Sequence, residues 1–400
     1  MLKDNDLYIA RILFAMKKRI SSIDTVRGLI MIIMTLDHVR DFLHYPGNPP
    51  LNMATTTGIL FFTRWITHFC APTFVFLAGI SANLAGQRRS KQQLSLFLLK
   101  RGAWLILSDL LIISLIFTFD PGYHVLVLEV LTATGFGMII LALLVWAPLW
   151  VIAVAGLSII FGHNLLDHVQ VDPKTVPGGL LTVFLTARGS IFPLGGHRTI
   201  AVLYPFLPWA GALLMGYVFG NLYRIDFNIQ RRQRILLLSG LSLIILFIVL
   251  RSVNHYGDPS PWTNQRNGTV TVLSFLNATK QPPSLLFLCM TLGPVLVLLS
   301  FAERFKSSIW AVCRVYGNVP YFYFILHLCV IRILNVLLIL IEGLPFKFTG
   351  FPLVWNAEGL GYPLWAVYLF WLLILVTLYT PCRWYAQYKK THSTWWLSYL

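Results

Sequence analysis

The ionisable side chains of an early apolar stretch of this 400-residue sequence include Asp24, Arg27, Asp37, His38 and Asp41. On a helix, all except Asp37 would fall within one stripe about 100° wide, with Arg27 and His38 about three turns apart. Asp41 would follow His38 by one turn, where its carboxylate is expected to orient the imidazole ring. Asp37 would lie beside the stripe. The pattern predicts one helix face with a cation near one end and a histidine–aspartate couple near the other.

A second apolar stretch carries Arg64 and His68, which lie one helical turn apart and therefore on one face. Counting residues inward along both helices places these two side chains at heights similar to those of His38 and Asp41. Pro72 follows His68 by one turn and is expected to kink the helix. The two stretches together predict one cluster of acidic, basic and imidazole groups.

Other ionisable side chains interrupt later apolar stretches, at Asp109, Glu129, His327 and Arg332. Ionisable groups at membrane depth are costly unless they are paired or hydrated, and they commonly mark function. The alternative for each is a structural pair inside a helix bundle. Arg40 is expected to point away from the stripe and to reach the membrane interface with its long side chain.

The cluster is suited to general base catalysis on a hydroxyl or an amine, because a histidine would remove the proton and an arginine would stabilise oxyanion charge. His38, His68 and Asp41 would also make a set of two histidines and one carboxylate of the kind that binds iron. Arg64 would repel that cation, and no two histidines have metal-binding spacing on one helix. The sequence therefore predicts no metal.

The composition indicates whether the helices that carry these residues lie in water or in a membrane. Hydrophobic residues make up 57% of the chain and charged residues 12%, whereas soluble proteins carry about a quarter charged residues. A set of soluble domains is thereby excluded, and the sequence predicts an all-α integral membrane protein. A spanning helix needs about 20 mostly apolar residues, and about ten transmembrane helices are predicted: 24–43, 57–84, 96–119, 125–145, 147–162, 200–222, 235–251, 284–302, 314–341 and 362–385.

The basic residues predict the orientation of these helices. The chain has 31 Lys and Arg residues against 15 Asp and Glu, a formal net charge of +16. The basic residues concentrate in alternate connecting segments, which the positive-inside rule assigns to the cytoplasm. Both termini are then cytoplasmic, and the excess charge is a topology signal that gives no reason to expect a nucleic acid partner.

The chain is expected to divide into three segments. Residues 1–22 are predicted to form an amphipathic cytoplasmic segment on the inner membrane surface, with a disordered basic tail as the alternative. Residues 23–386 form the polytopic membrane domain, and residues 387–400 form a cytoplasmic tail. The long loops 163–199 and 252–283 are expected to fold over the outer mouth of the bundle.

The chain carries five distinctive motifs, Ser22–Gly28, Asp37–Asp41, Thr63–Pro72, Phe275–Lys280 and Tyr321–His327. Together they resemble the bacterial branch of the heparan-alpha-glucosaminide N-acetyltransferase family, over nearly the whole chain. The spacing of Arg27 and His38 is also similar to that in membrane O-acyltransferases that decorate cell-envelope polysaccharides. The resemblance implies a ten-helix transmembrane acyltransferase domain.

The resemblance implies transfer of an acyl group, acetyl in this family, from cytoplasmic acetyl-CoA to an amino- or hydroxy-sugar of an envelope glycan outside. Arg27 and Asp24 are expected to meet the donor. The residues expected to bind the acceptor are His327, Asn277 and Lys280. The expected catalytic residues are His38, Asp41, Arg64, His68, Asp37 and His44, the last because the histidine of animal relatives lies nearer the outer end of the first helix. The choice between His38 and His44 as the base stays open.

Two other function classes fit the same buried charges. A transporter or flippase for an envelope precursor or a small solute would use them as a proton relay. A non-catalytic partner in an envelope complex would bind a glycan without reacting. The expected location is the bacterial cytoplasmic membrane, with membrane lipids and a second copy of the chain as partners.

Overall fold

The computed structural model describes residues 20–397 apart from 48, 168, 170, 173–174, 187–189, 349–354, 393 and 395–396. The amphipathic segment predicted over 1–22 therefore lies outside the described residues, except for its last three positions. The described chain is a helical bundle with short strands in its connections. Its helices are α1 (Ser21–Leu43), α2 (Gly58–Thr67), α3 (Cys70–Gly86), α4 (Lys91–Ser108), α5 (Ser114–Thr118), α6 (Val130–Leu144), α7 (Leu149–Gly162), α8 (Val176–Leu181), α9 (Phe206–Gly220), α10 (Ile229–Val253), α11 (Gly268–Leu276), α12 (Leu285–Phe301), α13 (Ser308–Gly317), α14 (Pro320–Ile341) and α15 (Leu364–Thr391).

Six helical segments are long and apolar enough to cross a membrane, and the chain is an integral membrane protein. Each of the ten predicted stretches contains helix. The last of them continues to Thr391, past the tail boundary predicted at 386. The six segments are Gly58–Gly86, Leu149–Leu166, Ile229–Val253, Leu285–Arg304, Pro320–Ile341 and Leu364–Thr391.

The second stretch is broken at His68 and Phe69, between α2 and α3. Pro72 has no N–H with which to bond the carbonyl of His68 four residues earlier, so the regular ladder stops there. The interruption lies one turn before Pro72, as its missing N–H predicts, and His68 lies at the interruption rather than on a continuous helix face.

The predicted start of the fourth helix, 125–145, is wrong. Val125–Leu128 is a strand, β1, and α6 starts at Val130. The preceding helix opens into a π turn at Asp109, whose Oδ2 accepts hydrogen bonds from the backbone N–H groups of Glu129 (2.7 Å) and Thr132 (2.9 Å). Because Asp109 supplies an acceptor to these otherwise unbonded backbone N–H groups, α6 can begin at Val130.

Short strands cap the end of the bundle at which α1 finishes. β1 pairs in parallel with β3 (Arg198–Val202), which pairs antiparallel with β2 (Ser190–Gly195). A separate pair joins β4 (Lys347–Phe348) to β5 (Trp355–Asn356). The pairing of β1 with β3 joins the start of α6 to the connection before α9. The placement of the two long loops over an outer mouth stays a prediction.

The loop between α11 and α12 is fixed by Asp258. Its carboxylate accepts hydrogen bonds from the backbone N–H of Thr279 (2.8 Å), the hydroxyl of Thr279 (2.7 Å) and the hydroxyl of Ser284 (2.8 Å). Arg251 donates to four backbone carbonyls around it, including that of Asn277 (2.9 Å). Lys280 therefore projects from an anchored loop.

Helices α1 and α13 approach each other closely through two glycines. A Cβ added to Gly28 would lie 1.7 Å from the carbonyl oxygen of Cys313, and one added to Gly317 would lie 1.9 Å from that of Asp24. Both obstacles are backbone atoms, which cannot rotate away. Small residues allow this kind of backbone approach in membrane bundles.

The substitution Gly28→Ala is expected to lower the free energy of unfolding by about 3 kcal/mol, because the added methyl group forces two backbones apart. Reversible unfolding in mixed micelles measures this change. Gly58→Ala is the matched control, since no atom lies within 4 Å of a Cβ built there. Equal stability of the two variants would show that the close packing of α1 on α13 does not hold the bundle.

Candidate active site

Asp37 is the centre of a buried ion-pair network that joins α1 to α2. Nη1 of Arg64 donates to both carboxylate oxygens at 2.6 Å, and the hydroxyl of Thr67 donates to Oδ1 at 2.7 Å. Nη2 of Arg40 lies 2.7 Å from the same oxygen. Buried charges are stable only when they are paired and hydrogen-bonded. The network therefore fixes α2 against the polar face of α1.

His38 is hydrogen-bonded to His327 of α14. Nδ1 of His38 lies 2.7 Å from Nε2 of His327, and the rings stack with centroids 5.0 Å apart. Nδ1 of His327 lies 2.8 Å from the backbone carbonyl of Tyr323. His38 is half-buried, whereas His327 is fully buried.

This chain of bonds fixes the tautomers of the two neutral rings. A carbonyl only accepts, so His327 must donate from Nδ1, and its Nε2 must then accept. His38 in turn donates from Nδ1, which leaves its Nε2 as the basic nitrogen. Nε2 of His38 makes no hydrogen bond to the described residues. The arrangement presents an oriented base with its lone pair available.

The expectation that Asp41 orients His38 is wrong, because His327 makes that bond. Asp41 instead pairs with Arg40 at 2.5 Å, and its side chain is 50% exposed. The expectation that Arg40 reaches the membrane interface is also wrong, since Arg40 is buried between Asp37 and Asp41. Two acceptors within reach of one guanidinium outweigh the gain from extending it to water.

His68 is fully buried at the break between α2 and α3, against the ring of Phe287 at 5.4 Å. Neither of its ring nitrogens has a hydrogen-bond partner among the described residues. Its electrostatic neighbours are Arg64, Lys280 and Asp37. His68 thus belongs to the same cluster as Arg64, on the side where Phe287 of α12 packs.

Lys280 reaches the cluster from its anchored loop. Its Nζ lies 5.6 Å from the ring centroid of Tyr204 and makes no ion pair with the described residues. Burial lowers the pKa of the Lys280 ammonium, and the neighbouring Arg64 guanidinium lowers it further, while Asp37 and Asp41 act in the opposite direction. The loop therefore adds a cation to a site that already holds two.

Glu129 adds a carboxylate to the same cluster. It is the residue before α6, it is half-buried, and its side chain makes no hydrogen bond to the described residues. Its electrostatic neighbours are Asp109, Lys280, Asp41 and Asp37, in that order. Its backbone is held by Asp109, so the position of its carboxylate is constrained.

A cavity of about 240 Å³ opens at the other end of the bundle, where α1 begins. Arg27 lines it and is bonded to Asp24 (3.0 Å), Ser81 (2.8 Å) and the carbonyl of Gly317 (3.2 Å). The remaining wall is mostly apolar, with two further basic side chains. Its lining includes Arg101, Lys389, Phe74, Ala78, Leu131 and Tyr321.

Aromatic rings separate this cavity from the histidine pair. Phe74 lines the cavity, and its ring centroid lies 6.5 Å from that of Phe324. Phe324 lies 6.3 Å from the ring of His38 and 5.7 Å from that of His327. The bundle thus has a cavity at one end, a charged cluster at the other, and the base between them.

Two predicted site residues lie apart from this centre. His44 follows the last residue of α1, and its Nδ1 lies 3.2 Å from the carbonyl of the adjacent Tyr45. Asn277 follows the last residue of α11, and its carbonyl accepts a hydrogen bond from Arg251. Among the described residues, no three His, Cys, Asp or Glu side chains could hold a metal ion together, and the absence of a metal stays a prediction.

The sequence did not predict that His38 and His327 are partners, nor that Arg101 lines the cavity at Arg27. The helix contacts decide these pairs, and spacing within one helix does not report them. The apolar surroundings of His327 were the available signal, because a lone histidine there needs a partner.

The comparisons with known proteins agree with a membrane transferase. Residues 19–250, more than half of the chain, match the family described as "Heparan-alpha-glucosaminide N-acetyltransferase, catalytic". No curated protein matches the chain. The matched region includes α1, α2 and Glu129, which hold most of the charged cluster. The chain therefore belongs to the heparan-alpha-glucosaminide N-acetyltransferase catalytic family.

Proposed function

We propose that this protein transfers an acetyl group from cytoplasmic acetyl-CoA to an amino- or hydroxy-sugar of an envelope glycan on the other side of a bacterial cytoplasmic membrane. The family supports a membrane acetyltransferase that acts on a sugar. The single observation that carries the proposal is the position of His38. It is a base with an available lone pair, between a basic-rimmed cavity and a charged cluster.

The proposed topology has ten crossings and both termini in the cytoplasm. The helices α2 with α3, α4 with α5, and α13 with α14 each count as one crossing. Positive charge in alternate connections supports this orientation. It assigns the cavity at Arg27 to the cytoplasmic side and the cluster at Lys280 to the outside.

The cavity at the cytoplasmic end fits the donor. Acetyl-CoA supplies one acyl group as a thioester, carried on a long arm that ends in phosphates. Arg27, Arg101 and Lys389 would bind the phosphates, because guanidinium and ammonium groups favour such anions. The apolar wall at Phe74 and Leu131 would bury the arm and direct it toward Phe324 and His38.

His38 acts as the general base in the proposed reaction. Its Nε2 takes the proton of the acceptor N–H or O–H group while the acceptor nitrogen or oxygen bonds to the acyl carbon. The bond between the acyl carbon and the thioester sulfur then breaks. The proton returns from Nε2 to the leaving sulfur, so His38 ends unchanged. His327 is a positioning residue that holds the tautomer. Arg64 uses Nη1 for Asp37 and has two further nitrogens for developing oxyanion charge.

Steady-state kinetics of the purified protein in nanodiscs tests the function and the donor site together. The assay follows thioester loss and the mass of the product with acetyl-CoA and a glucosaminide acceptor. The double variant Arg101→Ala/Lys389→Ala is expected to raise KM for acetyl-CoA by about 100-fold, because it removes two charge-assisted hydrogen bonds of roughly 1.5 kcal/mol each. An acetyl thioester without the nucleotide should show no such change.

Lys306→Ala is the matched control, since Lys306 is an exposed basic residue that does not line the cavity. It should leave both KM values unchanged. Proton-coupled solute uptake by liposomes, without any acetyl transfer, would contradict the proposal and favour a transporter. Binding of a glycan with neither activity would favour a non-catalytic partner.

A further inference from the structure

We infer that the ring of Phe324 limits the length of the acyl chain that the protein can transfer. The inference rests on the proposed function and names a residue that selects the donor. It starts from the position of Phe324, which is 1% exposed and lies between the donor cavity and the base. Acyl-CoA thioesters of different chain length share the nucleotide and the arm, so only the space around the acyl group can distinguish them.

One face of α14 leads from the cavity to the base. Tyr321 lines the cavity, Phe324 follows it after three residues, and His327 follows after three more. Residues at this spacing lie on the same side of a helix, and the six residues span about 9 Å. Because His327 bonds His38, an acyl group that leaves the cavity for the base must pass Phe324.

The ring of Phe74 bounds the same route from α3. Phe74 lines the cavity, and its ring centroid lies 6.5 Å from that of Phe324, within the 4.5–7 Å that separates aromatic rings in contact. Phe74 is half-buried beside the cavity, whereas Phe324 is packed against His38 and His327 as well. A rotation of Phe74 would therefore open the route, and the enclosed ring of Phe324 would set its width.

Two phenylalanine rings bound the space beside His38. The centroids of Phe117 and Phe324 lie 6.2 and 6.3 Å from that of His38, and both rings stand nearly perpendicular to it, at 83° and 76°. With the acyl carbon near Nε2, the rest of the acyl chain has to fit against these rings. Each further methylene group would overpack an interior that is already close-packed. The arrangement thus favours a two-carbon acyl group over longer ones.

The test measures kcat/KM of the whole protein in nanodiscs for acetyl-CoA and for butyryl-CoA, with the same glucosaminide acceptor. The wild-type protein is expected to prefer acetyl-CoA. Phe324→Ala removes the ring and should raise the ratio of the butyryl to the acetyl kcat/KM by about 10- to 200-fold, the range that one methylene group contributes to discrimination in an apolar pocket. Phe324→Leu removes part of the ring volume and should shift the ratio in the same direction by a smaller factor.

Phe247→Ala is the matched control, since Phe247 is a buried phenylalanine of α10 that packs against Phe275 at 5.8 Å. It should leave the ratio unchanged, because a loss of stability alone lowers both kcat/KM values by the same factor. If Phe324→Ala does not fold, Phe324→Leu decides the question.

An unchanged ratio in the folded Phe324 variants would overturn the inference, and so would equal use of the two thioesters by the wild-type protein. Neither result would affect the proposed function. Failure of the wild-type protein to transfer an acyl group from either thioester would instead overturn the proposed function itself.

Discussion

The substitution His38→Ala is expected to lower the rate of acetyl transfer by about 10²- to 10⁴-fold, the range that a positioned general base contributes. The reason is the hydrogen-bond chain from the carbonyl of Tyr323 through His327 to His38, which leaves the lone pair of Nε2 available. The half-buried ring of His38 makes no ion pair, so the fold should survive its loss. The measurement is single-turnover transfer to a glucosaminide, with thermal unfolding in parallel.

The controls separate the two candidate bases. His44→Ala should leave the rate nearly unchanged, because His44 follows the last residue of α1 and its ring bonds the adjacent carbonyl of Tyr45 rather than a described residue of the cluster. The double variant His38→Ala/His327→Ala should be no slower than His38→Ala alone, since residues that act as a unit are not additive. Full activity of His38→Ala, with loss in His44→Ala, would move the base to His44.

The substitution Asp37→Asn is expected to lower the free energy of unfolding by about 3–5 kcal/mol, the effect of breaking a buried ion pair from one side. Asp37 is 9% exposed, and two guanidinium groups depend on it, those of Arg64 and Arg40. Its removal leaves both cations with less compensation in an apolar bundle. Reversible unfolding in mixed micelles measures the loss.

Asp41→Asn is the matched control for this prediction. Asp41 also pairs with Arg40, but half of its side chain is exposed, so the substitution should change the stability by about 1 kcal/mol or less. Equal losses in the two variants would mean that burial does not set the strength of these pairs. An unchanged free energy of unfolding in both variants would mean that the ion pairs of Asp37 do not stabilise the fold.

The sequence predicted the helical class and the members of the cluster, because both follow from local patterns. Apolar runs define the helices, and the chemical types of His38, Asp37 and Arg64 stand out against them. The break after Thr67 also followed from one residue, Pro72. These features depend on neighbours along the chain, so a single sequence contains them.

The pairing of side chains between helices was predicted less well. The spacing of His38 and Asp41 suggested a couple on α1, yet His38 bonds His327, 289 residues away. The start of α6 was misplaced for the same reason, since Asp109 of the preceding helix determines it. Periodicity describes which face a residue occupies and carries no information on the helix that meets that face.

The rings of Phe74 and Phe324 have a consequence for the membrane as an electrical insulator. A protein that admits one reactant from each side must still keep the two aqueous solutions apart. Between the cavity at Phe74 and the base at His38, that separation includes the buried ring of Phe324. A phenyl ring offers no group along which protons can hop. In the proposed reaction, the ring of Phe324 would therefore lie between the donor cavity and the base and would help to keep the two aqueous solutions apart.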